Sequence, residues 1–462
     1  MSNLDKEAKV QKTGSAKLID NFTEWSMRWI PDSMVFVLSL TAIVYVMALV
    51  LTKHGPLELI DDYAKGFWLL LTFAMQMSIM MITGFVIADA KPVKKAILAL
   101  IDWPKTAKST IVMFSLVCGI VAWVHWGVGL MLAMIMGREI AVRKRGLGIH
   151  YPFIAGASYA TLVIMANGPS QAAPLLVATP GNFLEKMMGI IPLTETSFSP
   201  FMITFLLIEL VTLPLILLLI MPKKEDAVEI DDARYKEFTY VAPDDSADKV
   251  LRPAERWERS KILQSIVALG ILLWVGKFLY FNGVGKLDLN VMNFAFFGLG
   301  LLLHGSPNSF IDSVKKGVNT TYGVIIQFPM YAGIFGLISN SGLAAIITHW
   351  FISISTPGTF PWIVFVYTGV MDFFVPSAGS KFVIEAPYII PAAKQLGVPV
   401  QQVINAYGSG AQWVNTIQPF WALPFLAAYK LRFQDILPFT FVVFIFSGIL
   451  GSLIFLLFPM GF

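Results

Sequence analysis

Apolar runs of about membrane-crossing length recur along the whole chain: Ser33–Thr52, Phe67–Ala88, Thr110–Val124, Phe201–Met221, Ile262–Phe281, Val291–Leu303, Val324–Ile338, Trp362–Phe374 and Leu437–Phe458. A helix needs about 20 mostly apolar residues to cross a bilayer. In lipid only helices and closed barrels satisfy their own backbone. A barrel needs short alternating segments, and these are absent. Charged residues make up 14% of the 462 positions, against about 25% in soluble domains. The expectation is an all-α polytopic membrane protein whose first partner is the lipid bilayer. The net charge of +4 is small and points to no nucleic acid. The single Cys118 excludes an intramolecular disulfide. The opening MSNLDKEAKVQKTGSAK lacks an apolar signal core. The following KLIDNFTEWSMRWIPDS reads as an amphipathic interfacial helix, so residues 1–32 stand apart as a polar, amphipathic segment.

The chain also repeats itself. His54 opens HGPLELIDDYAKG and His304 opens HGSPNSFIDSVKKG, 250 residues later. One residue is then gained, so that Asp61 matches Asp312, Lys65 matches Lys316, Gly66 matches Gly317 and Gln76 matches Gln327. Gly129 meets Gly379, and Pro169 and Pro174 meet Pro419 and Pro424. A nearly fixed offset over so much chain marks a duplication. It divides the chain into a transmembrane repeat at 33–221, a polar linker at 222–260 and a second repeat at 261–462. Each repeat reads as about five transmembrane helices with an interrupted hairpin segment and a broken span. Paired interruptions are a transporter signature and point to the binding site. Orientation stays open. The basic loops Lys91–Lys108 and Arg143–Arg145 both belong on the cytoplasmic side, yet a single crossing between them separates them. On a count of five crossings per repeat, a spanning Ile262–Phe281 makes the repeats parallel, and a flat one makes them inverted.

The stretch VPSAGS, 375–380, interrupts an otherwise apolar run. Pro376 lacks a donor and disfavours helix at Val375, and Gly379 permits a turn. Non-helical backbone at membrane depth survives only inside protein or beside a water-filled cavity. The segment is therefore expected to be the tip of a re-entrant hairpin. Its return helix offers free N–H groups to an anion such as a carboxylate. Ser377, Ala378, Gly379, Ser380 and Lys381 form that candidate substrate site, with His125, Trp126, Gly127 and Gly129 as the equivalent tip in the first repeat. Asn167, Ser170 and Gln171 interrupt the first broken span. In the second, Gly408, Ser409 and Gly410 are expected to loosen the helix, and Asn415, Thr416 and Gln418 supply oxygens. Neutral oxygens of this kind suit Na⁺, and they hydrogen-bond substrate equally well. A proton-coupled carrier would instead use Asp372, Glu385 or His125; the neutral composition of the broken spans favours Na⁺ as the coupling ion.

Structural readings stand beside these. Polar side chains in membrane helices often only join helices. Gly129 and Gly379 serve close packing, and Trp126 serves packing or the interface. Lys381 and Glu385, four apart, pair on one helical face. There is no H-E-x-x-H, no Cys/His cluster, no P-loop and no nucleophile with its base, so neither an enzyme nor direct ATP drive is expected.

WIPDSMVFVL, WGVGLMLAMIMGRE, APLLVATPGNF, VPSAGSKFVIEAP and QWVNTIQPFWALP together resemble the bacterial short-chain fatty acid transporter family, the acetoacetate and butyrate permeases, from about Trp29 to the C-terminus. The resemblance extends to the wider ion transporter superfamily. It implies inverted repeats, two hairpins, a homodimer and a place in the bacterial inner membrane. Ala378, Ser380 and Lys381 depart from the family's usual glycine-rich second tip, and His125 stands where Asn is common. The expected function is secondary active transport of small monocarboxylates, coupled to Na⁺ or H⁺. Rival readings are a carrier of dicarboxylates or amino-acid-like anions, and a passive anion channel.

Overall fold

The computed structural model describes residues 28, 33–239 and 252–462. The expected amphipathic helix between residues 17 and 32 lies outside them, apart from Arg28. Every regular element among the described residues is helical. The first half runs α1 (Ser33–Leu51), α2 (Pro56–Phe67), α3 (Leu71–Asp89), α4 (Lys91–Asp102), α5 (Ala107–Val124), α6 (Trp126–Arg143), α7 (Tyr151–Ala160), a 3₁₀ stretch Thr161–Asn167, α8 (Ala172–Ala178), α9 (Glu185–Met188) and α10 (Pro200–Ile220). The linker carries α11 (Asp232–Thr239) and α12 (Pro253–Glu258). The second half runs α13 (Lys261–Asn282), α14 (Leu289–His304), α15 (Pro307–Val318), α16 (Tyr322–Asn340), α17 (Leu343–Ser353), α18 (Phe360–Phe374), α19 (Ala378–Leu396), α20 (Val400–Asn415), α21 (Pro419–Tyr429) and α22 (Phe433–Leu457).

Among the described residues, seven helices are long and apolar enough to cross a membrane. Leu38, Val50, Leu219, Leu273 and Ile449 are exposed on α1, α10, α13 and α22, which is where a bilayer would cover them. The duplication is visible helix by helix. The 12-residue α2 and α15 both begin at proline after His-Gly, and proline suits the first helical position because its missing N–H has no partner there anyway. Both precede 19-residue helices, α3 and α16. Among the described residues, α13 has no counterpart in the first half.

The halves interlock. A Cβ on Gly66 of α2 would lie 2.3 Å from the Ala332 carbonyl oxygen of α16, so α2 and α16 cross in near backbone contact. Reciprocally, Lys316 of α15 pairs with Asp89 of α3 at 3.4 Å. The hairpin arms α5 and α6 return to the side they leave. Arg143 meets Asp102 at 3.2 Å and Lys144 donates to the Pro104 carbonyl at 2.8 Å. Both basic loops therefore share one face, and the conflict seen in the sequence disappears because a hairpin makes no net crossing.

Tyr151, at the start of the first broken segment, donates to the Tyr429 carbonyl at the end of the second (2.6 Å). At the other end, Lys394 beside the start of the second donates to the Met187 carbonyl beyond the end of the first (2.5 Å).

One expectation needs correction. The helix α20 runs unbroken through Gly408, Ser409 and Gly410. A Cβ on Gly410 would lie 2.1 Å from the Phe365 carbonyl oxygen, so this glycine serves close packing of α20 on α18. The break comes later, between Asn415 and Pro419, where Gln418 is extended.

Candidate functional site

Four interrupted segments converge inside the bundle. The first tip meets the first break: the Trp126 N–H donates to Ser170 Oγ at 3.0 Å. At Gly168 a Cβ would lie 2.0 Å from the Trp123 carbonyl oxygen, so only glycine lets this break pass the hairpin. The second tip also meets the first break, because a Cβ on Gly379 would lie 3.1 Å from Cβ of Ala172. The second tip meets the second broken segment twice. Tyr407 donates to the Ala378 carbonyl at 2.7 Å, and the Trp421 indole to the Pro376 carbonyl at 3.0 Å. The two breaks meet each other through Tyr159, whose hydroxyl contacts the Asn415 carbonyl and lies 2.7 Å from the Gln418 carbonyl. A narrow crevice between them is lined by Tyr159, Leu162, Met165, Gln412, Asn415, Thr416 and Trp421.

The two tips differ in what they leave open. At the first, His125 Nδ1 accepts from the N–H groups of Gly127 and Val128 at 3.1 and 3.2 Å, and Ser170 takes that of Trp126. Its helix N-terminus is capped from within. Gly127 packs near Gly84, Gly129 against Ala122, and Trp126 sets its ring edge-on to Trp421, centroids 6.4 Å apart. At the second tip, among the described residues, the N–H groups of Ala378, Gly379 and Ser380 have no acceptor. Ser377 sits at the cap position without a side-chain cap bond, and Ser380 is fully buried with its hydroxyl unpartnered. Free donors at a buried helix N-terminus suit an anion.

The broken-span candidates are largely engaged with the protein. Ser170 holds Trp126, Thr416 donates to the Trp413 carbonyl, and Gln418 Oε1 accepts from the Trp421 N–H. Asn415 gives its amide N–H to Gln412 (3.2 Å) and keeps a buried, unpartnered Oδ1; Gln171 has a buried, unpartnered Nε2. The Asn167 side chain lies outside the described set.

Lys381 does not take Glu385 as its ion-pair partner. Its Nζ lies 3.0 Å from Asp372 Oδ1, donates to the Thr368 carbonyl at 2.7 Å and stands over the Tyr407 ring. Glu385 accepts instead from Thr368 Oγ1 at 3.3 Å. The hairpin explains the exchange of partners. Asp372 and Lys381 lie four residues before Pro376 and after Ser377; Thr368 and Glu385 lie eight before and after. Antiparallel arms bring equidistant positions together. That symmetry is a signal in the sequence, and the i,i+4 rule overlooked it. Tyr159, Tyr407 and Trp421, which tie the segments together, carry no comparable signal, because a buried tyrosine or tryptophan is ordinary in a membrane helix.

A bundle whose described elements are all helical, with paired interruptions converging in its interior, is the architecture of a membrane transporter. Similarity agrees. The family model for the short chain fatty acid transporter matches residues 16–458. Relatives named "Putative short-chain fatty acid transporter" are 36% identical in Escherichia coli K12 over 433 residues (93% of this chain, 96% of that one) and 33% identical in Haemophilus influenzae over 438 residues (92% and 96%). The chain belongs to the short-chain fatty acid transporter family and is a multi-pass membrane transporter, not an enzyme. Two solved structures share the fold at 14% identity. They are the Alcanivorax borkumensis YdaH transporter (TM-score 0.58, 93% of this chain and all of that one) and Neisseria gonorrhoeae MtrF, described among antimetabolite efflux pumps (TM-score 0.62, 94% and 97%).

Proposed function

We propose that this chain is a secondary active carrier of short-chain monocarboxylates in the bacterial inner membrane, and that its second hairpin tip binds the carboxylate. The observation that supports this most is the contrast between the tips. The first is capped by His125 and Ser170, while the second presents three N–H groups and the Ser380 hydroxyl, all without acceptors. One open anion site favours one carboxylate over two, which argues against the dicarboxylate reading. The names of the relatives support the same substrate class.

We further infer that the repeats are inverted and alternate access around this site. The hairpins return to their own sides, so each half makes four net crossings rather than the five counted from the sequence. A spanning α13 then inverts the second half, the reverse of the earlier parity. The antiparallel meeting of Tyr151 with Tyr429 and of Lys394 with Met187 supports it. The breaks leave the buried Asn415 Oδ1 without a partner, and replacing Na⁺ by choline at constant potential decides between Na⁺ and a proton as the coupling ion. A homodimer rests on the family resemblance.

Uptake and counterflow of a labelled carboxylate panel in proteoliposomes test the main reading. Ser380→Ala removes one hydrogen bond to a charged group, worth about 1.5–3 kcal/mol, and is expected to raise the KM roughly tenfold or more. Wild-type kinetics in Ser380→Ala, or conduction without counterflow, would sink the site or the carrier mechanism respectively.

A further inference from the structure

The sequence offers three titratable groups near the site, and the structure engages one as a helix cap and one as an ion pair. His125 uses Nδ1 to cap α6 and sets its ring edge-on to Phe296, centroids 4.1 Å apart. Asp372 has a counter-ion, its Oδ1 lying 3.0 Å from Lys381 Nζ, although neither of its oxygens accepts an aligned hydrogen bond. Glu385 remains. It is fully buried, its only hydrogen bond among the described residues comes from Thr368 at 3.3 Å, and its Oε1 has no partner. The groups facing it are Lys381 and Tyr388 on its own helix, Asp372 and Tyr367 on α18, and Tyr407 on α20. From α16, Tyr331 faces Asp372. The phenols are engaged elsewhere: Tyr367 and Tyr388 with each other at 2.9 Å, and Tyr407 with the Ala378 carbonyl.

With Asp372, Lys381 and Glu385 all ionised, the hairpin core is one positive charge short of neutral. Such a deficit is costly at membrane depth. We propose that Glu385 carries the coupling proton of this transporter. This rests on the carrier reading above. The proton adds to the free carboxylate oxygen of Glu385 as an O–H and leaves to water on the opposite side, with no other bond changed. Glu385 lies five residues beyond Ser380 on α19, a rise of about 7.5 Å. A substrate anion at the tip would leave a second uncompensated negative charge unless Glu385 is protonated. Substrate and proton therefore favour each other's binding, and the coupling is reciprocal. One anion and one proton crossing together move no net charge.

The test uses the full-length protein in liposomes with labelled acetoacetate, after subtracting passive flux in protein-free liposomes. An inward proton gradient at zero potential is expected to accelerate wild-type uptake. In Glu385→Gln the ratio of proton-driven uptake to counterflow is expected to fall by about tenfold or more. Persistent proton stimulation in Glu385→Gln, or wild-type uptake that needs Na⁺ and ignores the proton gradient, overturns the proposal. A second readout does not depend on transport. The pH-difference infrared spectrum of the wild type should show a protonated-carboxyl band that Glu385→Gln removes and Glu385→Asp shifts; the same band unchanged in both variants overturns the assignment. If the wild type neither takes up nor exchanges short-chain acids, the substrate reading has failed, and the infrared band still decides the role of Glu385.

Discussion

Lys381 and Asp372 are buried to within 1% of full coverage. Removing one member of a buried pair leaves the other charge uncompensated, at about 3–5 kcal/mol, whereas replacing both is often nearly neutral. Lys381→Gln and Asp372→Asn are each expected to lower the melting temperature in detergent, and the double variant to recover most of the loss. The sequence pointed to Glu385 as the rescuing partner. The hairpin register makes it Asp372, so rescue of Lys381→Gln by Glu385→Gln alone would show that the pair is misassigned. Ser170 is the mirror case among neutral groups. It joins the first tip to the first break by accepting the Trp126 N–H.

At the scale of elements, the linker between the halves is more than a tether. Glu229 accepts from the N–H groups of Gly146 (2.9 and 2.8 Å) and Gly148 (2.6 Å), and Val228 exchanges hydrogen bonds with His150 and Tyr151. Beyond it, Arg145 pairs with Asp232, Arg234 donates to the Lys430 carbonyl, and Lys430 pairs with Glu237. Lys430 is the one non-glycine among the described residues with positive φ, at 53°. The strap thus spans the end of α6, the start of α7 and the end of α21. Glu229→Ala leaves the amides of Gly146 and Gly148 to water, since these hydrogen bonds are exposed at Gly146 and only partly buried at Gly148. Hydrogen exchange is expected to quicken across residues 144–151 and to stay unchanged in α13. Unchanged protection in that loop would mean that the carboxylate does not hold it.

At the scale of the molecule, contacts assign the loops to two faces. Lys91–Lys108, Arg143–Arg145, the linker and Lys430 share one, as the Arg143–Asp102, Arg145–Asp232 and Lys430–Glu237 pairs show. Basic loops favour the cytoplasmic side. The 25-residue α22 leaves that face after Arg432 and ends where Gln402 donates to the Phe458 carbonyl at 2.9 Å. A reporter fused after Phe462 is expected to be active only outside the cytoplasm, and a cysteine placed at Glu225 to be labelled only from inside. The opposite pattern for both would reverse the orientation.

Much of this was legible in the residues. The apolar runs predict the helices to within a few positions, because a bilayer imposes length and composition directly: Phe201–Met221 became Pro200–Ile220 and Ile262–Phe281 became Lys261–Asn282. Proline and glycine in such runs announced the tips and breaks, since each alters backbone chemistry locally. Partnership was decided elsewhere. Gly408 and Gly410 read as a break, yet a Cβ on Gly408 would lie 3.2 Å from the Ala166 carbonyl oxygen and one on Gly410 2.1 Å from that of Phe365, because a missing Cβ permits flexibility and close approach equally. His125 read as a candidate ligand, and its Nδ1 accepts from the N–H groups of Gly127 and Val128. Only tertiary contacts show which donors are already used, and a binding site is made of the ones that are not.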